Sequence, residues 1–107
     1  MNAWIILLLA GLCEVVWAVA LKYSNGWSKP LPSALAVGFM ALSVWGLAVA
    51  QKTLPLGSSY AVWVGIGTVG ALLASVLLLG EQLGLLKLGS AALIILGIIG
   101  LKLSSSD

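Results

Sequence analysis

Four long apolar stretches fill most of this 107-residue chain and restrict it to a membrane-spanning fold. They cover residues 3–21, 31–50, 58–79 and 85–103, and short polar connections separate them. A helix needs about 20 consecutive apolar residues to cross the hydrocarbon core of a bilayer. Only 7% of the residues are charged, against roughly 25% in soluble domains. The sequence therefore predicts an all-α membrane protein, a single domain of four transmembrane helices.

Charge and cysteine content exclude several kinds of site. The net charge of +2 comes from five scattered lysines without a basic cluster, so we expect no nucleic-acid partner. Cys13 is the single cysteine, and the chain has no histidine. An intrachain disulfide and a thiolate–histidine metal site are therefore both excluded. We expect neither a metal nor a cofactor.

The first stretch has one competing interpretation, as a cleaved signal peptide. Its end, Ala18-Val-Ala20, resembles a small-residue cleavage site. However, no Lys or Arg precedes the apolar region, and Glu14 interrupts it. We interpret the stretch as a helix that is retained.

Glu14 is the lone carboxylate of the first stretch. In a helix over residues 3–21 it lies about 16 Å from one end and about 10 Å from the other. A charged residue near the bilayer centre costs roughly 2.5–3.5 kcal/mol on insertion scales, so an acid at this depth is a candidate functional residue. The alternative is a protonated structural acid that is hydrogen-bonded to a neighbouring helix.

Four further side chains are candidates for a cation site around Glu14. Trp17 lies one helical turn on and offers an indole N–H and a π face. Ser43, at a similar depth in the second stretch, is expected to bond either Glu14 or its own helix. Tyr60 and Trp63 share a face of the third stretch, where they either complete the site or form an aromatic belt and packing face.

The third stretch also contains Gly65-Ile-Gly67-Thr-Val-Gly70, which matches the G-x-G-x-x-G dinucleotide fingerprint. That motif requires a preceding strand and a βαβ unit, whereas this copy lies within a membrane segment. The glycines instead indicate close helix packing, or helix bending at Gly65 and Gly67.

The fourth stretch carries a small-residue seam that is typical of a membrane helix interface. It consists of Ser90, Leu93, Gly97 and Gly100, and it is called the α4 seam below. No acid or aromatic residue lies among these positions. We interpret the seam as an association or packing surface.

The lysines do not favour either orientation in the membrane. One face would hold Lys22, Lys29 and Lys87, and the other Lys52, Lys102 and the amino terminus. Orientation follows the Lys/Arg bias of short loops, and here that bias is close to zero. Insertion in both orientations is therefore predicted, together with an antiparallel homodimer that resembles an inverted repeat built from two chains.

Over its whole length the chain resembles the small multidrug resistance family. The resemblance rests on four spans, an early membrane glutamate and the segment Tyr60-Ala-Val-Trp63. Two further segments resemble the guanidinium-exporter subtype in particular: Glu14-Val-Val-Trp17-Ala-Val-Ala-Leu-Lys22-Tyr-Ser-Asn-Gly26 and Gly97-Ile-Ile-Gly100-Leu-Lys102.

This resemblance implies a transporter, and not an enzyme, in the bacterial inner membrane. It implies an antiparallel homodimer that exchanges protons for guanidinium or small substituted guanidines. Glu14 would bind proton and substrate in turn, with Trp17, Ser43, Tyr60 and Trp63 around it. Export of quaternary ammonium or aromatic cations is the alternative within transport. A membrane scaffold or a proton-carrying rotor subunit is the alternative outside it.

Overall fold

The computed structural model describes residues 2–104, which form four α-helices joined by short connections. The helices are α1 (Ala3–Tyr23), α2 (Pro30–Ala50), α3 (Leu56–Leu79) and α4 (Leu85–Ser104). Each is long and apolar enough to cross a membrane, and the described residues contain no strand. The predicted all-α architecture of four apolar helices is confirmed.

Polar and conformationally restricted residues set the helix ends. The side chain of Asn2 accepts a hydrogen bond from the backbone N–H of Trp4 at 2.8 Å and so caps α1. Pro30 opens α2, where its missing N–H costs no hydrogen bond. Gly80 follows α3 in the left-handed region, at φ 71°, and the backbone N–H of the next residue, Glu81, donates to the Ser75 carbonyl at 3.2 Å. These caps satisfy backbone groups that lipid cannot.

Helix α1 is the centre of the bundle because it packs against both α2 and α3. Helix α4 packs against α3. A cluster of buried apolar residues joins the first three helices and the α2–α3 connection: Leu7, Ala10, Leu47, Ala50, Leu54, Val62 and Trp63. The mid-helix positions of α1 are thereby held from two sides.

Glycines lie where the helices approach most closely. A Cβ atom added to Gly46 of α2 would lie only 2.9 Å from the Cβ of Ala10 in α1. One added to Gly65 of α3 would lie 2.8 Å from Cδ1 of Ile98 in α4. Small residues allow such contacts between membrane helices. Gly65 therefore lies at a packing contact, and the bending expected there stays a prediction.

The α4 seam is left exposed by the other described helices. All four of its residues are exposed, and Leu93 exposes 71% of its surface. A Cβ atom added to Gly97 or Gly100 would meet nothing within 4 Å. Ala91 is the one buried residue of α4. The seam is thus a small-residue surface that no other part of residues 2–104 covers.

We expect Gly46→Ala to lower the thermal stability of the protein in detergent. The added methyl group must push α1 and α2 apart, and such overpacking costs about 1–3 kcal/mol. Gly38→Ala is the matched control on the same helix, because a Cβ atom there meets nothing within 4 Å. Thermal unfolding followed by circular dichroism compares the two variants. A midpoint for Gly46→Ala at or above that of Gly38→Ala would contradict the close α1–α2 contact.

Candidate functional site

Glu14 lies near the middle of α1, and its side chain is directed at α3. The carboxyl group rests against Gly67, so closely that a Cβ atom on Gly67 would overlap Oε1 and Cδ of Glu14. Gly70 lies one turn further along α3, and a Cβ atom on it would overlap the side chain of Val15. The two glycines therefore let α3 approach the acid-bearing face of α1.

Two polar atoms of α1 are buried without a hydrogen-bond partner in the described residues. They are Oε1 of Glu14 and Nε1 of Trp17, one turn apart on the helix. All five lysines lie at or beyond helix ends, so none is placed at the depth of Glu14. Buried polar atoms are almost always paired in folded proteins, and an unpaired acceptor and donor together call for an explanation.

Ser43 joins three helices through two hydrogen bonds. Its hydroxyl donates to the backbone carbonyl of Ala10 in α1 at 2.7 Å. The indole Nε1 of Trp63 in α3 donates to the same hydroxyl at 3.0 Å. Ser43 is fully buried, and Ala10 and Trp63 are nearly so. We call this arrangement the Ser43 bridge.

The Ser43 bridge corrects the expectation that Ser43 bonds either Glu14 or its own helix. The acceptor is instead the carbonyl of Ala10, which also receives the helical N–H of Glu14 four residues later. A carbonyl has two lone pairs and accepts both donors. Ser43 therefore contacts the backbone turn that carries Glu14, one turn before the carboxyl group itself.

Tyr60 and Trp63 pack on each other at the same level of α3. Their ring centroids are 5.7 Å apart, with the ring planes inclined at 47°. Trp63 is buried by its role in the Ser43 bridge, whereas Tyr60 exposes 52% of its surface. No hydrogen bond in the described residues joins Tyr60 to Glu14. Tyr60 thus presents an open aromatic surface beside the buried bridge.

Sequence reasoning missed two contacts of this site. The acceptor at Ala10 is a backbone carbonyl, and nothing in a sequence marks which carbonyl a distant hydroxyl will reach. Gly67 belongs to the same helical stripe as Tyr60 and Trp63, and that spacing was the available signal. Its contact with the carboxyl group depends on how α1 and α3 pack.

No group of three or more acidic, cysteine or histidine side chains that could hold a metal occurs within residues 2–104. The site instead combines one carboxyl group, one unpaired indole N–H and aromatic surface. In a low-dielectric setting, this combination suits a small organic cation or a proton.

Comparison with known proteins agrees with this chemistry. A model of the Small Multidrug Resistance protein family matches residues 2–103. A guanidinium exporter of Escherichia coli (strain K12) is 56% identical over 103 residues, which cover 96% of this chain and 98% of the relative. The guanidinium exporter of Yersinia pestis is 54% identical over 96% of this chain and 99% of the relative. The guanidinium exporter of Salmonella typhimurium (strain LT2) is also 54% identical, over 96% of this chain and 98% of the relative.

These matches extend over nearly the whole chain, and the relatives come from Gram-negative bacteria and are named exporters. The four apolar helices add the membrane-spanning architecture. The chain therefore belongs to the small multidrug resistance family and is a multi-pass, small-molecule exporter of the bacterial inner membrane.

Proposed function

We propose that this protein exchanges protons for guanidinium and small substituted guanidines by alternating access, with Glu14 binding proton and substrate in turn. The observation that carries the proposal is the unpaired, buried carboxyl oxygen of Glu14 midway along a membrane helix. Trp17, Ser43, Tyr60 and Trp63 form the supporting site. The guanidinium-exporter names of the similar relatives support the choice of cation.

The chemistry of the acid explains the exchange. An ionised carboxylate in apolar surroundings needs a counter-charge, which a bound cation or a proton supplies. Both ligands neutralise the same group, so one carboxylate holds only one of them at a time. Release of the proton on one side of the membrane and of the cation on the other gives coupled exchange.

The planar shape of guanidinium favours it over a quaternary ammonium ion. Guanidinium presents parallel N–H donors that match a carboxylate, whereas a quaternary ammonium has no N–H and depends on aromatic faces. The unpaired Glu14 oxygen is an acceptor for such a donor. Tyr60 offers an exposed aromatic surface beside Trp63.

The working unit in this proposal is an antiparallel homodimer that associates through the α4 seam. Its exposed small residues leave room for a second helix to approach. The balanced lysine distribution gives neither orientation an advantage during insertion. Two oppositely oriented copies would place two Glu14 side chains around one passage, which alternates between the membrane faces.

Glu14→Gln is expected to abolish guanidinium–proton exchange in proteoliposomes, because the amide binds neither a proton nor a cation by charge. Glu81→Gln is the control, since Glu81 is an exposed acid outside the helices. In the unmodified protein, guanidinium binding is expected to weaken as the pH falls, because the proton competes for the same carboxylate. Exchange that survives in Glu14→Gln, or binding that is constant between about pH 5 and 8, would contradict the coupling.

The same assay separates the two candidate substrate classes. Guanidinium should be exchanged well and bulky tetraalkylammonium ions poorly. Equal exchange of both classes would favour the alternative of a multidrug exporter of quaternary ammonium and aromatic cations.

Ser43→Ala is expected to weaken guanidinium transport and to lower thermal stability. It leaves the buried Trp63 N–H without an acceptor and frees the turn before Glu14. The binding free energy of guanidinium is expected to fall by about 1 kcal/mol, which is roughly fivefold in apparent affinity. Ser59→Ala is the control, because this fully buried serine bonds only within its own helix, to Leu56. Equal effects of the two substitutions would show that the Ser43 bridge has no special role.

Dual topology is tested by labelling single cysteines introduced in a Cys13→Ser background. Asn25 lies in the α1–α2 connection and Thr53 in the α2–α3 connection, and both are exposed. Each position is expected to react with an impermeant maleimide from both sides of the membrane. Reaction from one side only would exclude the antiparallel arrangement.

A further inference from the structure

Gly67 occupies a special position among the glycines of α3. A Cβ atom on Gly65 would meet Ile98, and one on Gly70 would meet Val15, so both glycines lie at ordinary apolar packing contacts. A Cβ atom on Gly67 would instead overlap the carboxyl group of Glu14. Because Gly67 has no side chain, the α3 surface has a slot at this position, and the carboxyl group of Glu14 lies in it.

The carboxyl group is held in this slot by shape. Its Oε1 atom is buried there and has no hydrogen-bond donor among the described residues, while Glu14 as a whole is only partly buried. The Ser43 bridge fixes the backbone one turn earlier and does not reach the carboxyl group. The contact with Gly67 thus limits how far the carboxyl group can extend toward α3.

We infer that Gly67 is a positioning residue of the Glu14 site: its missing side chain seats the carboxyl group, and any larger residue displaces the acid from its place beside Trp17. This role differs from helix bending or general helix packing, because it acts on one side chain. The expected effect on guanidinium binding rests on the proposed function, whereas the expected effect on stability does not.

A double-mutant cycle between Gly67→Ala and Glu14→Asp tests the inference. Aspartate is one methylene shorter, so its carboxyl group is retracted from α3 and leaves space for the added methyl group. Guanidinium binding is measured by tryptophan fluorescence, and thermal unfolding is measured on the same samples. Residues in direct contact are expected to show such non-additive effects.

Gly67→Ala is expected to weaken guanidinium binding about tenfold with Glu14 present, and at most about threefold in the Glu14→Asp background. Gly67→Ala should also lower the thermal midpoint strongly when Glu14 is present and only slightly in the Glu14→Asp background. Gly65→Ala is the matched control on the same helix, since its added methyl group meets Ile98. Its effects should be the same in both backgrounds.

Equal effects of Gly67→Ala in the two backgrounds would overturn the inference, as would coupling of the same size for Gly65→Ala. If Gly67→Ala alone fails to fold, the double variant with Glu14→Asp should fold, and its failure would also overturn the inference. If the unmodified protein binds no guanidinium, the proposed function fails. The thermal cycle still decides the role of Gly67 in that case.

Discussion

The need to accommodate a carboxyl group among apolar helices is the constraint on which the rest of this structure depends. Lipid offers Glu14 no hydrogen bonds, and insertion of a charged residue at this depth is costly. The bundle encloses one oxygen of the acid against the α3 backbone at Gly67, and no donor within residues 2–104 bonds to it. The hydrogen-bonding capacity of this oxygen is therefore unused within the described residues, unlike that of a structural acid with satisfied hydrogen bonds.

The packing of α1 follows from that placement. Small residues let α2 and α3 approach α1 from two sides, with Gly46 against Ala10 and Gly67 against Glu14. The Ser43 bridge then links the backbone of α1 to Trp63. A shift of either neighbouring helix would therefore be felt in the turn of α1 that carries the acid. In the proposed exchange, this linkage couples occupancy of Glu14 to helix position.

The acid and the exposed α4 seam lie on different helices of the bundle. Glu14 of α1 rests against α3, and α2 contacts the preceding turn of α1, while α4 contacts α3 and leaves its small-residue seam exposed. Association through α4, as proposed, would therefore leave the packing around Glu14 intact. No residue of the α4 seam lies among the candidate site residues.

The sequence by itself determined the four apolar helices, the family resemblance and the choice of Glu14 as candidate, because length, hydropathy and an isolated charge are local properties. Only the tertiary structure decided that Ser43 reaches the Ala10 carbonyl and that Gly67 touches the carboxyl group. The physical reason is that lipid is as apolar as the side chains themselves. Hydrophobic periodicity, which identifies the buried face of a helix in water, therefore carries little information about which faces of these helices meet.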